Sequence, residues 1–262
     1  MKQQIQALEA EWIKTKSAKI LWATFLAFAI VPVLGGICIL VVQDKEVMEK
    51  TSDFALRIKA MNFEATWKSY FGLLNEAVGV GGVILFGFVA SWLFGREYSD
   101  GTVKDLLSLP TSRAKILNAK FILYVFWCLA LALSNLIIAF IFGKTLQLPN
   151  IDNGLSTQLI TEYLITTILT IAIVIPTAFF ALYGKGFLAP LGFVTLTIIF
   201  SHIIAGIGYG SYFPWSVPGL YSGASGEFKM SLDTYSYGIL LLTSIAGYIA
   251  TVRYWNKADQ TK

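Results

Sequence analysis

Charged residues are scarce in this sequence of 262 residues. They make up 14% of the chain, whereas soluble domains carry about 25%. Because a soluble chain of this length needs a polar surface to cover its core, the deficit argues against a soluble globular protein. The two cysteines are too few for a disulfide framework. Both Cys38 and Cys128 lie in apolar runs, which is typical of small packing residues.

Residue patterns for catalysis and nucleotide binding are missing as well. The chain has a single histidine and no aspartate inside any long apolar run, so a membrane enzyme built on paired aspartates, a Ser/His dyad or HExxH is disfavoured. The Gly-Lys pairs at Gly143 and Gly184 lack the glycine that a phosphate-binding loop needs five residues earlier. No basic cluster interleaved with aromatics indicates nucleic-acid binding. We therefore expect no catalytic residue, no metal site and no nucleic-acid partner.

Apolar residues dominate instead, at 56% of the chain and a mean hydropathy of +0.65. They form six runs, each long enough to cross about 30 Å of hydrocarbon as a helix. The predicted spans are residues 20–42, 71–95, 121–143, 159–183, 187–208 and 235–252. The sequence therefore predicts an all-α integral membrane protein in which residues 1–262 form a single transmembrane domain.

The first 19 residues predict an amphipathic helix before the first span. Ile5, Leu8 and Trp12 recur at helical spacing, with Lys and Gln at other positions, which is typical of a helix that lies in the membrane interface. A cleaved signal peptide is the alternative. The basic region and the following apolar run are too long for that, and no A-x-A site follows.

Basic residues indicate the orientation of the spans. With the N-terminus inside, thirteen of the 20 Lys and Arg residues fall in inner segments and seven in outer ones. The positive-inside rule therefore predicts that both termini are cytoplasmic. Residues 96–120, here called the central loop, then lie in the cytoplasm.

The central loop predicts a short amphipathic helix at about residues 99–109. Ser99 or Asp100 can cap its N-terminus, and Val103, Leu106 and Leu107 fall at i, i+3 and i+4 on one apolar face. Such a helix either lies on the lipid headgroups or docks into a groove of a cytoplasmic partner.

The motif in this loop resembles a known family. Glu97, followed by Gly101 and Thr102 and then by the run Leu107-x-Leu109-Pro110-Thr111-Ser112-Arg113, is similar to the segment after the second span in permeases of the ABC-2 type. The N-terminal helix, the six spans and the segment between spans five and six extend the likeness over nearly the whole chain. Within the family, the likeness is to permeases of bacitracin and lantibiotic self-protection.

The resemblance implies a pump divided between chains. This chain would be the permease, would lie in a bacterial plasma membrane and would bind no cofactor. Two copies of a cytoplasmic ABC ATPase would bind ATP and Mg. A second permease chain would complete a homodimer or heterodimer within the membrane lipid. The cargo would be a peptide antibiotic or another amphipathic molecule. The alternatives are an ABC-2 permease for sodium or another small cargo, or a channel or secondary carrier outside the family. The residues expected to couple to the ATPase are Glu97, Asp100, Gly101, Thr102, Val103, Leu106, Leu107, Pro110 and Arg113.

Candidate residues of the translocation path come from two places. Polar side chains inside spans are costly and often functional, although an interfacial acid or an interhelical hydrogen bond is the alternative for each. Residues 209–234, here called the 5–6 segment, are rich in Gly, Pro and aromatics and resemble the outer re-entrant segment of the family. We expect this segment to close the outer end of the path. The candidates are Glu76, Asn135, His202, Pro214, Trp215 and Pro218.

Overall fold

The computed structural model of the chain describes residues 2–44, 46, 53–60, 62–108, 111–149, 153–223 and 232–257. Within these residues the regular structure is entirely helical. Six helices are long and apolar enough to cross a membrane: Lys19–Gln43, Trp67–Ser99, Arg113–Thr145, Gly154–Tyr183, Leu188–Gly206 and Thr234–Lys257, here called spans 1 to 6. The predicted all-α architecture with six candidate spans is confirmed.

Shorter helices complete the described residues. The N-terminal helix is Lys2–Lys16, and the others are Asp53–Ala60, Val103–Leu107, Gly210–Tyr212 and Val217–Ser222, of which Gly210–Tyr212 is a 3₁₀ helix. Span 2 consists of Trp67–Glu76, the π-helix Ala77–Gly81 and Gly82–Ser99. Span 4 consists of Asn153–Val174 and Thr177–Tyr183.

Spans 2 and 4 form the centre of the bundle. Spans 1 and 3 pack against each other on one side, and spans 5 and 6 contact the second half of span 4 on the other. The most apolar stretch of span 2 is 61% buried inside the protein, whereas that of span 5 is 17% buried. Outer positions such as Trp22 and Leu26 are 67% and 71% exposed. In a membrane protein these apolar faces contact lipid.

Proline shapes spans 1 and 4 differently. Pro32 lies inside the continuous helix of span 1 and supplies no N–H, so it leaves the carbonyl of Phe28 without its helical partner. Asn135 of span 3 donates a hydrogen bond to that carbonyl at 3.0 Å. Because backbone carbonyls inside a membrane need a partner within the protein, this bond replaces the missing helical one. Span 4, in contrast, is interrupted at Pro176, where the close approach of Gly247 brings span 6 against the break.

Small residues let the neighbours of span 2 approach closely. A Cβ atom at Gly87 would lie 2.7 Å from Val194 of span 5, and one at Gly95 would lie 2.8 Å from the carbonyl oxygen of Gly186. Both positions therefore pack within the subunit rather than offering a free groove to a second chain.

Candidate functional site

The central loop begins with a tight end to span 2. Gly101 adopts φ +70°, a left-handed conformation that glycine favours. The N–H of Thr102 bonds to the carbonyl of Glu97 at 2.9 Å, which closes the last turn. Ser99 is the last residue of span 2 and Asp100 its C-cap, so neither caps the next helix. The expectation that they do is wrong, because glycine ends the preceding helix at this point.

The helix of the central loop covers Val103–Leu107, with Thr102 at its N-cap position. Val103 and Leu106 are 5% and 6% exposed and anchor it on the bundle, while Lys104 and Asp105 are exposed. The helix is therefore amphipathic, with its charged side free. The side chain of Leu107 and all of Pro110 lie outside the described residues.

Four buried charged residues meet where the N-terminal helix crosses the ends of spans 2 and 3. Glu11 Oε2 accepts hydrogen bonds from Arg96 Nη2 at 2.6 Å and from Lys120 Nζ at 2.9 Å. Glu97 Oε1 accepts from Lys120 Nζ at 2.8 Å and lies 3.4 Å from Arg96 Nε. We call these four residues the ion cluster. Each is at most 5% exposed, and two acids balance two bases.

Further contacts engage the two bases. Lys120 Nζ also donates to the carbonyl of Leu93 at 3.1 Å, and Arg96 Nη1 donates to Thr15 Oγ1 at 3.3 Å. The Arg96 guanidinium lies 4.7 Å from the ring centroid of Trp92, a favourable cation–π geometry. Lys14, which is half-exposed, lies 3.4 Å from Glu11 and 3.7 Å from Glu97.

The electrostatics of the cluster are visible in the pKa of Glu11. Burial raises this pKa, but the charges of Lys120, Arg96 and Lys14 and the hydrogen bond from Lys120 lower it more, to about 2. Glu11 is therefore ionised at neutral pH. Because removing one partner of a buried, hydrogen-bonded ion pair leaves an uncompensated charge, the cluster holds the N-terminal helix firmly in place.

An open cleft of about 450 Å³ lies between the ion cluster and the central-loop helix. The residues that line it are Lys14, Trp92, Arg96, Glu97, Asp100, Thr102, Asp105 and Leu106. Asp100 and Asp105 are exposed at its rim, whereas Arg96 and Glu97 are buried. The cleft thus has a buried, charged floor, and its rim carries two acids together with the half-exposed Lys14.

Five of the residues expected to couple to an ATPase surround this cleft or its helix directly. Glu97, Asp100, Thr102 and Leu106 line the cleft, and Val103 anchors the helix next to it. Arg113, half-buried, begins span 3, and its carbonyl accepts a hydrogen bond from Trp255 of span 6 at 3.1 Å. Gly101 is at the turn that positions the helix.

The charges of the ion cluster are paired within the site. The charged side chains of the ion cluster neutralise each other, and among the described residues no nucleophile with a neighbouring base lies beside them. In the part of the chain that the structure describes, no group of three or more His, Cys, Asp or Glu residues is placed to hold a metal ion.

The candidates for a translocation path lie in three separate places. Glu76 is half-buried at the start of the π-helix in span 2. Asn135 lies between spans 1 and 3 and bonds to span 1. His202 is exposed on span 5, and its Nδ1 lies 3.0 Å from the carbonyl oxygen of Ile198 in the same helix, so the described contacts of His202 do not join two spans.

The described part of the 5–6 segment packs into the bundle. The Trp215 ring lies 5.5 Å from that of Phe193 in span 5, and Pro214 and Pro218 are buried. The carbonyl oxygen of Pro218 would lie 2.7 Å from a Cβ atom at Gly79, in the π-helix of span 2. Pro218 therefore lies close to Gly79, three residues after Glu76. Asn135 lies elsewhere, against span 1.

Sequence reasoning missed the importance of Glu11. Its partners Arg96 and Lys120 are 85 and 109 residues away in the sequence. The prediction for the N-terminal helix used only its apolar residues. The structure instead buries Glu11 and Thr15 and leaves Ile5 and Trp12 54% and 43% exposed. A carboxylate flanked by basic residues at the membrane interface, with Arg96 and Lys120 bracketing the central loop, was the available signal.

Comparison with known proteins gives a consistent result. A family model described as ABC-2 family transporter protein matches residues 7–202, a range that contains the ion cluster, the central loop and spans 1 to 4. The bacitracin transport permease protein BCRB of Bacillus licheniformis is 30% identical to the chain over 179 residues, which cover 68% of this chain and 85% of that protein.

Proposed function

Because the chain belongs to the ABC-2 family of transporter proteins, we propose that it is the permease subunit of an ATP-driven exporter. A separate cytoplasmic ABC ATPase, present in two copies with ATP and Mg, drives the cycle. Two permease chains, identical or related, complete the pump in a bacterial plasma membrane. The six apolar spans support the multi-pass placement, and the distribution of Lys and Arg supports cytoplasmic termini.

The observation that carries the coupling proposal is the central-loop helix beside a rigid charged cleft. Val103 and Leu106 fix the helix on the bundle, while Thr102, Lys104 and Asp105 face outward. Leu106 belongs to the same core as spans 2 and 3, so a pull on this helix would be passed on to those spans. The exposed carboxylates of Asp100 and Asp105 favour a partner groove that carries basic residues.

Co-purification tests the docking surface. We expect an ABC ATPase to be retained by the tagged chain from detergent-solubilised membranes and to be lost with Asp100→Arg/Asp105→Arg. Both positions are exposed, so we expect the variant to fold, whereas a charge at the buried Leu106 would disrupt the core. Glu64→Arg, an exposed acid at the opposite end, is the matched control. Equal recovery with all three chains contradicts the docking site. Absence of an ATPase with the unmodified chain contradicts the proposal that the chain works with one.

We further propose that the cargo is a peptide antibiotic or another amphipathic molecule. The similarity to a bacitracin transport permease supports this choice over sodium or another small cargo. Deleting the gene should lower tolerance to bacitracin, and the unmodified gene should restore it, whereas the Asp100→Arg/Asp105→Arg gene should not. Unchanged tolerance across a panel of cell-wall-active peptides contradicts this cargo.

The 5–6 segment is proposed as the outer gate. Its buried prolines and the Trp215–Phe193 contact support a segment that closes on the bundle. Pro214→Ala/Trp215→Ala removes both the restricted backbone and the aromatic contact. We expect this variant to reduce export, and unchanged export at normal expression would sink the proposal.

A further inference from the structure

A second cleft, of about 360 Å³, lies at the opposite end of the bundle from the ion cluster. Its two long walls come from spans 2 and 4. Span 2 contributes positions from Lys68 to Asn75, and span 4 contributes positions from Leu155 to Glu162, each set spaced i, i+3, i+4 and i+7. This spacing defines one face of a helix. One face of each helix therefore lines the cleft, which opens beside the contact between spans 2 and 4.

Glycine keeps this space open. Gly72 lies on the span 2 wall, and a Cβ atom built there would meet nothing within 4 Å. At Gly79, two turns further along, the same construction meets Pro218 and Ser222 at 2.7 and 2.8 Å. Span 2 is thus tightly packed at Gly79, where the cleft ends, and leaves open space at Gly72, beside the cleft.

An unsatisfied polar atom lies in the deep part of the cleft. Asn75 is 5% exposed. Its Nδ2 donates to the carbonyl of Ser222 at 3.4 Å, whereas its Oδ1 has no hydrogen-bond partner in the described part of the protein. A buried acceptor without a partner is costly and rare in native structures. This oxygen is therefore available to a donor that enters the cleft.

A carboxylate shares the same cleft. Glu162 is half-buried on span 4 and accepts a hydrogen bond from Gln158, one turn nearer the mouth, at 3.2 Å. Phe71, Leu155 and Leu159 supply apolar surface between the mouth and these polar groups. Lys68 is exposed, two helical turns above Asn75 on span 2, and so marks the mouth rather than the base.

The base of the cleft is joined to two unusual backbone segments. The π-helix Ala77–Gly81 follows Asn75 by one residue, and π-helical turns occur frequently at functional sites. Ser222 belongs to the helix Val217–Ser222 of the 5–6 segment, which packs on that π-helix. A molecule bound at Asn75 would therefore touch both span 2 and the segment proposed as the outer gate.

We propose that this cleft binds the primary ammonium group of an amphipathic molecule. Asn75 Oδ1 and the Glu162 carboxylate accept its N–H donors, and Phe71, Leu155 and Leu159 contact its apolar chain. This inference rests on the proposed function, which places the cleft on the outer side of the membrane. It adds a chemical class for the cargo, namely a primary amine. The same ammonium chemistry occurs in a cargo amine and in an aminophospholipid headgroup.

Saturation-transfer NMR on the full chain in phosphatidylcholine nanodiscs tests this binding, with empty nanodiscs subtracted. The probe is hexylammonium, and hexanol and hexanoate are the matched ligands without the ammonium group or with the opposite charge. We expect a Kd of about 1 mM for hexylammonium, a reasonable affinity for so small a ligand. The two matched ligands should bind at least tenfold more weakly.

Three variants address the site and two control for folding. Gly72→Phe fills the open space, Glu162→Gln removes the charge, and Asn75→Leu removes the acceptor. Each should weaken hexylammonium binding at least tenfold. Gly192→Phe, also at a glycine with open space around it, and Glu64→Gln, an exposed acid outside the cleft, should leave the Kd unchanged. If Gly72→Phe fails to fold, the other two variants still decide the question.

Phosphatidylethanolamine identifies the source of the ammonium. If nanodiscs that contain this lipid suppress hexylammonium binding, the natural occupant is a lipid headgroup; if they do not, it is a cargo amine. Equal binding of hexylammonium and hexanol, unchanged binding in Glu162→Gln and Asn75→Leu, or no saturable binding would overturn the proposal and leave the cleft to water. These measurements need no ATPase, so their failure is distinct from a failure of the co-purification experiment.

Discussion

Replacing Glu11 with glutamine removes one of the two acids in the ion cluster while keeping the shape of the side chain. Arg96 and Lys120 then share the single carboxylate of Glu97, and one positive charge is left uncompensated in a buried site. The N-terminal helix then detaches more readily, because the neutral amide that replaces the carboxylate no longer compensates either base.

The magnitude follows from the burial of the pair. Breaking a buried, hydrogen-bonded ion pair by removing one partner costs about 3–5 kcal/mol. Because the cluster borders an open cleft, water relieves part of that cost and we take about 3 kcal/mol. This free energy corresponds to a rise of about 150-fold in the population with the N-terminal helix detached.

Limited trypsin digestion reports this population. Cleavage after Lys14 and Lys16 requires the helix to open, and its rate follows the open population when closing is faster than cutting. We expect Glu11→Gln to accelerate cleavage at these two sites by about 150-fold. Glu9→Gln, an exposed acid on the same helix, is the control and should cleave at the original rate.

A compensating change makes the test decisive. Lys120→Met removes one base, so the double variant Glu11→Gln/Lys120→Met leaves Arg96 and Glu97 as a neutral pair. Cleavage of the double variant should be slower than that of Glu11→Gln alone, since neighbouring charges couple strongly. The reasoning is refuted if Glu11→Gln changes the rate less than about threefold, or if Lys120→Met brings no recovery.

Three further predictions follow. Cytoplasmic termini place Glu64 outside the cell and Asp105 inside. In a cysteine-free background, a membrane-impermeant thiol reagent should therefore label Glu64→Cys on intact cells and Asp105→Cys only after permeabilisation. The reverse pattern contradicts this orientation. Asn135→Leu should lower the free energy of unfolding by about 1–3 kcal/mol, because the carbonyl of Phe28 in span 1 loses its hydrogen-bond donor. Adding Pro32→Ala supplies a backbone N–H and should restore most of that loss. Denaturation in mixed micelles measures both changes, and no recovery argues against the carbonyl explanation. The pKa of Glu11 is lowered from 4.5 to about 2. The stability that its charge provides is therefore complete above about pH 4.5 and is lost as the pH falls towards 2. In this pH window the thermal midpoint of Glu11→Gln should drop less than that of the unmodified chain, and equal drops would contradict the assignment.

The spans were predictable because each apolar run carries its own signal. A helix that crosses lipid satisfies its backbone internally, so length and hydropathy suffice, whatever the rest of the chain does. The same holds for the central-loop apolar face, where the burial of Val103 and Leu106 follows from their i, i+3 spacing. The start of that helix was misplaced because Gly101 ends span 2, and a capping residue can serve either helix.

The ion cluster and the outer cleft were not predictable, since both depend on which helices become neighbours. Glu11 meets Lys120 across 109 residues of sequence, and nothing local selects that partner. Likewise, Pro32 indicates that one carbonyl in span 1 lacks its helical donor, but no pattern identifies Asn135 as the side chain that replaces it. Glu76 was the expected candidate in span 2, but its neighbour Asn75 is the more buried of the two.

The ion cluster also sets an order of events during synthesis. Glu11 leaves the ribosome before either of its basic partners, Arg96 and Lys120, has been made. Until spans 2 and 3 have been inserted, Glu11 has only the nearby Lys14 of its own helix as a basic partner. Its docking marks the completion of the first half of the bundle, and a quality-control protease that cuts near Lys14 and Lys16 would remove only chains in which that half has failed to assemble.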